Sequence, residues 1–168
     1  MAKAREDART SGTLYRRRVE DADTGSVRAA SAGTVRLAGR DVPRMGYGAM
    51  RLPGPGVWGP PPDRKAAIGV VRRAFELGVR VMDTAWYYGP EVAHRILAEA
   101  LSPYSDDLVL VTKLGGARRD DGTWYADLSA SGLRLGCEHD LRLLGLDVVP
   151  VTHLRWADEA GVPFDDAL

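Results

Sequence analysis

The sequence predicts an α/β fold built on a parallel sheet. Three observations lead there. From residue 63 onward, short apolar runs alternate with longer segments whose apolar residues recur at helical spacing. The run from Leu108 to Lys113 is apolar almost throughout, as suits a parallel strand buried on both faces. Gly78 and Gly145 end two of the helical segments, and each is followed at once by another apolar run.

The elements follow in order. Residues 1–33 are rich in Arg, Asp, Ser, Ala and Gly and nearly lack bulky apolar groups. Such a composition does not repay its ordering entropy, so a disordered, solvated tail is expected, with the folded domain spanning 34–168. Thr34–Leu37 alternates like a strand, Ala38-Gly39-Arg40 can turn, and Val42–Met45 returns, which predicts a hairpin. Gly46–Arg51 reads as a short strand leading into a proline- and glycine-rich loop over 53–62. Asp63 can cap a helix over Arg64–Leu77, with Ile68, Val71, Ala74, Phe75 and Leu77 on its apolar face. Val79–Asp83 is a strand. Pro90 and Glu91 open a second helix that turns Val92, Ile96, Leu97 and Leu101 inward. After the strand Leu108–Lys113, Ser129 or Ser131 starts a third helix that runs to Leu144. Asp147–Arg155 is a fourth strand, and Phe164–Leu168 opens another helix.

Composition narrows the function. The chain has 168 residues, 23 basic and 23 acidic, and is 45% hydrophobic, so one domain with a real core is expected. Zero net charge argues against nucleic acid or an anionic membrane as the main partner. No run approaches the roughly 18 apolar residues of a membrane span. Cys137 is the single cysteine, which excludes an intramolecular disulfide and fits a reducing compartment. Arginines 16 to 18 are not followed by an apolar stretch, so no secretory signal is expected and a cytoplasmic location is.

Three chemically active residues fall at the carboxyl ends of successive strands, where βα folds gather their catalytic groups: Asp83, Lys113 and Arg155. Tyr88 lies in the loop just after Asp83. A tyrosine gives up its proton near neutral pH only if its pKa, about 10, is lowered. A lysine ammonium does that, and a carboxylate can hold the lysine charged and oriented. Taken singly, Asp83 reads as a loop acid, Tyr88 as a packed aromatic and Lys113 as a solvated strand end. Together, on one side of one sheet, they read as a proton-transfer group. Other signals are weak. Gly46-x-Gly48 lacks the third glycine of a dinucleotide fingerprint. Cys137-Glu138-His139 lies within a helix, where adjacent positions do not converge on a metal, so no metal site is expected. His94 reads as a solvated helix residue.

With these residues in place, the chain resembles the aldo-keto reductases. The resemblance rests on the hairpin, on Gly46-Tyr47-Gly48-Ala49-Met50-Arg51-Leu52, and on Asp83-Thr84-Ala85-Trp86-Tyr87-Tyr88-Gly89 with Glu91. It continues through Val111-Thr112-Lys113-Leu114-Gly115 and Leu143-Leu144-Gly145-Leu146-Asp147. That family reduces aldehydes and ketones with NADPH on a (β/α)₈ barrel of the TIM type. The resemblance implies that this chain carries the first four β/α units of such a barrel plus the N-terminal β-hairpin that plugs its bottom. Tyr88 would be the general acid, Lys113 would depress its pKa, and Asp83 would pair with Lys113. Gly48, Ala49, Met50 and Asp83 would lie near the nicotinamide and its ribose. Trp58, Trp86 and Tyr87 would wall a small-molecule carbonyl substrate, each being equally readable as packing. The family's fourth catalytic position is usually His. The ungapped match puts Arg155 there, and a two-residue slip would put His153 there, on the same strand face. Pro150 also stands where the family often has Asp.

A (β/α)₈ barrel takes about 250 residues. Four strands leave apolar edges through which the chain can self-associate. Two readings therefore stand: an NADPH-dependent reductase or its N-terminal piece, and a non-catalytic remnant or half-barrel completed by a second chain.

Overall fold

The computed structural model describes residues 28–156, Gly161 and residues 163–166. Most of the expected tail lies outside the described residues. Its last part does not behave as tail. Ala29–Ala32 form a 3₁₀ turn in which Ala29 is buried and donates its N–H to Leu77 O at 2.9 Å. The folded region thus begins before residue 34. A small methyl side chain is enough to pack against the end of the first helix, and composition does not register it.

The expected hairpin forms. β1 (Thr34–Leu37) pairs antiparallel with β2 (Arg40–Pro43), and Val35 faces Val42. Ala38 and Gly39 both take positive φ in the turn, which matches the twist of two strands joined tightly. There follow β3 (Tyr47–Gly48), α1 (Arg64–Glu76), β4 (Val81–Asp83), α2 (Val92–Leu101) and β5 (Val109–Leu114). A second hairpin comes next, β6 (Gly116–Arg118) with β7 (Trp124–Ala126), then α3 (Ala130–Leu144) and β8 (Val151–Leu154). The strands β3-β4-β5-β8 form one sheet in which every pair is parallel.

Three strands are shorter than expected, β4 by its first two residues. The segment 46–51 is a strand only at Tyr47–Gly48, after which Ala49–Arg51 coil into a 3₁₀ turn. Ala49 and Leu52 are both buried on the helix side, and the turn carries them there. The fourth strand is confined to Val151–Leu154, because Pro150 has no N–H to give a ladder. Beyond it, Phe164–Asp166 form a 3₁₀ turn.

The helix ends follow their side chains. Asp63 Oδ1 accepts from Ala66 N at 2.9 Å. Ser129, not Ser131, caps α3, its hydroxyl accepting from Gly132 N at 3.0 Å. Gly145 closes α3 in the left-handed conformation, where a side chain would be strained.

The sheet has two different faces. Met82 and Leu110 join the main core with Ile68 and Val71 of α1, Ile96 and Leu97 of α2, and Leu144 of α3. On the other face Val109 and Val111 pack with Val42 of the hairpin, flanked by Leu37, Val81 and Val151. The hairpin therefore floors one face of the sheet, and the helices cover the other. Side chains alternate along a strand, so Asp83 follows Val81, Lys113 follows Val111, and His153 follows Val151 onto the hairpin face.

One expectation is reversed. His94 is fully buried rather than solvated. Its Nδ1 lies 3.2 Å from Thr84 Oγ1 and its Nε2 lies 2.9 Å from Asp140 Oδ1, with Asp140 itself only 1% exposed. The ring sits on the α2 face shared with Ala93 and Leu97, and burial is tolerable because both nitrogens have partners. This chain of contacts ties α3, through α2, to the loop that follows Asp83. Replacing Asp140 by Ala strands the His94 ring in the core and is expected to cost roughly 1–3 kcal/mol. Urea unfolding followed by circular dichroism reads that loss, and an unchanged midpoint would contradict it.

Candidate active site

The residues singled out at the strand ends converge on the open end of the sheet. Lys113, next to last in β5, donates from Nζ to Asp83 Oδ1 across the neighbouring strand, and also to Thr84 O at 3.2 Å. Lys113 is 18% exposed and Asp83 35%, so the pair is shielded on one side and open on the other. The same ammonium lies 5.1 Å from the centre of the Tyr88 ring. A cation, its counter-ion and a phenol are thus within one contact of each other. Such an arrangement can move a proton and hold the charge that remains.

The loop from Thr84 to Glu91 sets Tyr88 in place. Thr84 N donates to Val111 O at 2.8 Å, continuing the ladder one residue past Asp83. Tyr88 N donates to Ala85 O, and Tyr88 O accepts from Ala93 N at the start of α2, both at 3.1 Å. Gly89 takes φ +97°, and a Cβ there would come within 2.5 Å of the Val92 Cβ and 3.0 Å of the Pro53 Cβ. Only glycine lets the chain turn so closely after Tyr88. Glu91, also at positive φ, is held by Arg95 at 2.6 Å and Arg142 at 3.0 Å.

The two adjacent tyrosines differ physically. Tyr87 is fully buried and its hydroxyl has no hydrogen-bond partner. Burial pushes its pKa up to about 12, with Tyr88 adding to the rise and Arg155 opposing it. Arg155 therefore acts on that hydroxyl through its field, without hydrogen-bonding geometry. Tyr88 is 6% exposed and meets Tyr87 edge-on, with ring centres 5.4 Å apart. A phenol as deeply buried as Tyr87 is poorly suited to lose a proton; Tyr88 has the ammonium beside it.

The other sequence-predicted residues divide. Gly48 ends β3 directly opposite Asp83, and a Cβ there would touch nothing within 4 Å, so there is space beside the acid. Ala49 is fully buried in the helix-side core, and Met50 is 43% exposed beside the proline- and glycine-rich loop. His153 stands opposite Lys113 in the β5–β8 register, on the hairpin face. Arg155 lies just past β8, its N–H donating to Leu114 O at 2.8 Å. Its guanidinium faces Trp124 at 5.9 Å. Trp86 turns toward α3, stacking on His139 with centres 4.9 Å apart. Trp58 lies over the Arg118 guanidinium at 5.1 Å. Among the described residues no cluster of His, Cys, Asp or Glu could hold a metal ion, and no helix is long and apolar enough to cross a membrane.

The β6–β7 hairpin escaped the sequence reading. It brings Trp124 edge-on to Tyr87 at 5.8 Å and to Tyr88 at 6.5 Å, so an indole stands directly beside the candidate site. Asp121-Gly122 between two short runs was its signal, since Asp-Gly favours a tight hairpin turn. Gly122 does take φ +83°, and Gly122 N donates to Arg119 O at 2.9 Å. The flanking strands are only three residues long, too short for their alternation to stand out.

Comparison with known proteins agrees with this fold. The sequence profile described as the Aldo/keto reductase family matches residues 44–163. Pyridoxine 4-dehydrogenase of Escherichia coli (strain K12) is 50% identical over 125 residues, covering 74% of this chain and 44% of that protein. The holo form of an aldo-keto reductase from Bacillus halodurans superposes with a TM-score of 0.64 at 25% identity, over 80% of this chain and 43% of that one. An aldo-keto reductase from Klebsiella pneumoniae solved in complex with NADPH gives a TM-score of 0.55 at 23% identity, over 76% of this chain and 42% of that one. The chain spans less than half the length of these relatives, and its four parallel strands with the floor hairpin correspond to a partial (β/α)₈ barrel. By its sequence and by its fold, the chain belongs to the aldo/keto reductase family.

Proposed function

We propose that the chain carries the proton-donating part of an NADPH-dependent oxidoreductase that reduces an aldehyde or ketone to an alcohol. The observation that carries this reading is the Lys113 ammonium held between Asp83 and the Tyr88 ring. NADPH, when bound, supplies the hydride. The open space at Gly48, opposite Asp83, suits the reacting end of such a cofactor beside the acid. Gly48, Asp83 and the backbone at Ala49 and Met50 would hold that end, while the side chain of Ala49 packs into the core.

Each residue then has a task. The Tyr88 hydroxyl donates a hydrogen bond to the carbonyl oxygen and passes its proton as negative charge builds there. The Lys113 ammonium, beside the Tyr88 ring, offers a counter-charge for the negative charge that develops as the proton leaves. Asp83 and Thr84 O fix the ammonium, so the charge is in place before reaction. Arg155 and His153 flank the same face; either can donate to the carbonyl oxygen, and Arg155 does so without titrating. Trp124 and Trp58, both partly exposed, offer apolar surface beside Tyr88 and Gly89. Pyridoxal, the aldehyde corresponding to the relative that is 50% identical over 125 residues, is the first substrate to try.

A second reading is favoured by the sheet itself. Among the described residues β3 and β8 each lack a partner on their outer edge, and Val148 beside β8 is 74% exposed. The site would then be completed by a second chain, whose strands extend the sheet.

Replacing Tyr88 by Phe removes the proton and keeps the ring. NADPH oxidation with an aldehyde is expected to fall by roughly 100-fold or more, with NADPH affinity nearly unchanged by fluorescence titration. Undiminished turnover would mean that another group donates the proton. Sedimentation at micromolar concentration tests the second reading: it expects a dimer, and a monomer at every concentration would rule it out.

A further inference from the structure

The β6–β7 hairpin holds a guanidinium with unused donors. Arg118 Nη2 donates to Gly56 O at 3.2 Å, but Nε and Nη1 are covered from solvent and have no acceptor. Trp124 lies 3.9 Å from the guanidinium carbon and Trp58 lies 5.1 Å from it. Indole faces attract a cation, yet they offer nothing to N–H groups that point in the guanidinium plane. Covered donors without acceptors are uncommon and cost free energy, so they point to a partner.

Two carboxylates of this segment are committed elsewhere. Asp121 accepts from the N–H and hydroxyl of Thr123, and Asp127 accepts from those of Ser129. Arg118 has no ion pair among the described residues, and Arg155 approaches the same Trp124 ring at 5.9 Å. Trp124 in turn touches Tyr88. Two cations therefore stand one aromatic ring away from the phenol. The indoles that cover Arg118 are themselves surface groups, Trp124 being 42% and Trp58 37% exposed. A ligand reaches the guanidinium by displacing an exposed ring, with no need to open the core.

We propose that Arg118 binds a carboxylate on a carbonyl substrate whose aldehyde or ketone lies at Tyr88. The substrate class is then a carbonyl compound that carries a carboxylate. This rests on the reading of Tyr88 as the proton donor, because that reading fixes where the carbonyl lies. It adds a charge requirement that the proton-transfer group alone does not impose.

The test uses 4-formylbenzoate and 4-formylbenzamide, which share a shape and differ in charge. Each is titrated into the full chain without cofactor, and tryptophan fluorescence is followed. The carboxylate is expected to bind about tenfold tighter or more, as a charged hydrogen bond would give. Arg118→Met should bring its affinity down to that of the amide while leaving amide binding unchanged. Where Arg118→Met fails to fold, Arg118→Lys serves, keeping the charge without the planar donors and losing part of the preference. Equal affinities in the unsubstituted chain, no binding of either compound, or a preference that survives Arg118→Met overturns the proposal. NADPH oxidation is measured alongside. A preference without oxidation supports the site and counts against the reductase reading; oxidation without a preference overturns the site alone.

Discussion

The Lys113 ammonium against the Asp83 carboxylate is the contact on which the rest of the structure turns. It joins the carboxyl ends of two parallel strands, so β4 and β5 must be in register for it to form; Asp83 in fact sits opposite Val111, two residues before the lysine. It also decides what the Thr84–Gly89 loop can do, because the same ammonium takes Thr84 O and lies beside the Tyr88 ring. A charged pair in a partly shielded place is costly unless its geometry is well held. The hairpin floor and the helix-side core supply that rigidity from opposite faces of the sheet.

Support for the pair reaches well beyond its own strands. Thr84 gives its carbonyl to Lys113 and its hydroxyl to His94, and His94 gives its far nitrogen to Asp140 on α3. A polar chain of this kind, buried and mostly satisfied, fixes one arrangement of the surrounding elements. Asp140 Oδ2 is the single loose end in it. The loop is held a second time by Gly89, whose missing side chain admits Val92 and Pro53 at close range. Tyr88 is therefore set by sheet, helices and loop together, which is what a proton donor needs for geometry that does not relax during reaction.

Much of this was legible in the sequence, for definable reasons. The hairpin, β4, β5 and the three helices rest on local periodicity and on caps such as Asp63, Ser129 and Gly145, and all of these are properties of neighbouring residues. Asp83, Tyr88 and Lys113 were legible because parallel strands bring their carboxyl ends together whatever lies between. The burial of His94 was not, because its partner Asp140 lies 46 positions away and nothing local announces the pairing. The same holds for Arg118: its stacking on Trp58 joins a loop and a hairpin with no shared pattern. The positions 1–33 read as tail by composition, yet Ala29 needs only a methyl group to dock on α1. Trp86, equally readable from the sequence as substrate wall or as packing, lies edge-on to Tyr87 at 5.8 Å and stacks on His139 of α3, where Gly136 leaves room for it.

We propose that Tyr88, set beside the Lys113–Asp83 pair, gives its proton to a carbonyl while hydride arrives from NADPH. The most direct measurement supplies the chain with NADPH deuterated at the transferable C4 position and with an aldehyde, and analyses the alcohol by mass spectrometry. The account predicts one deuterium at the former carbonyl carbon. Alcohol formed without deuterium, or no alcohol at all, would contradict it.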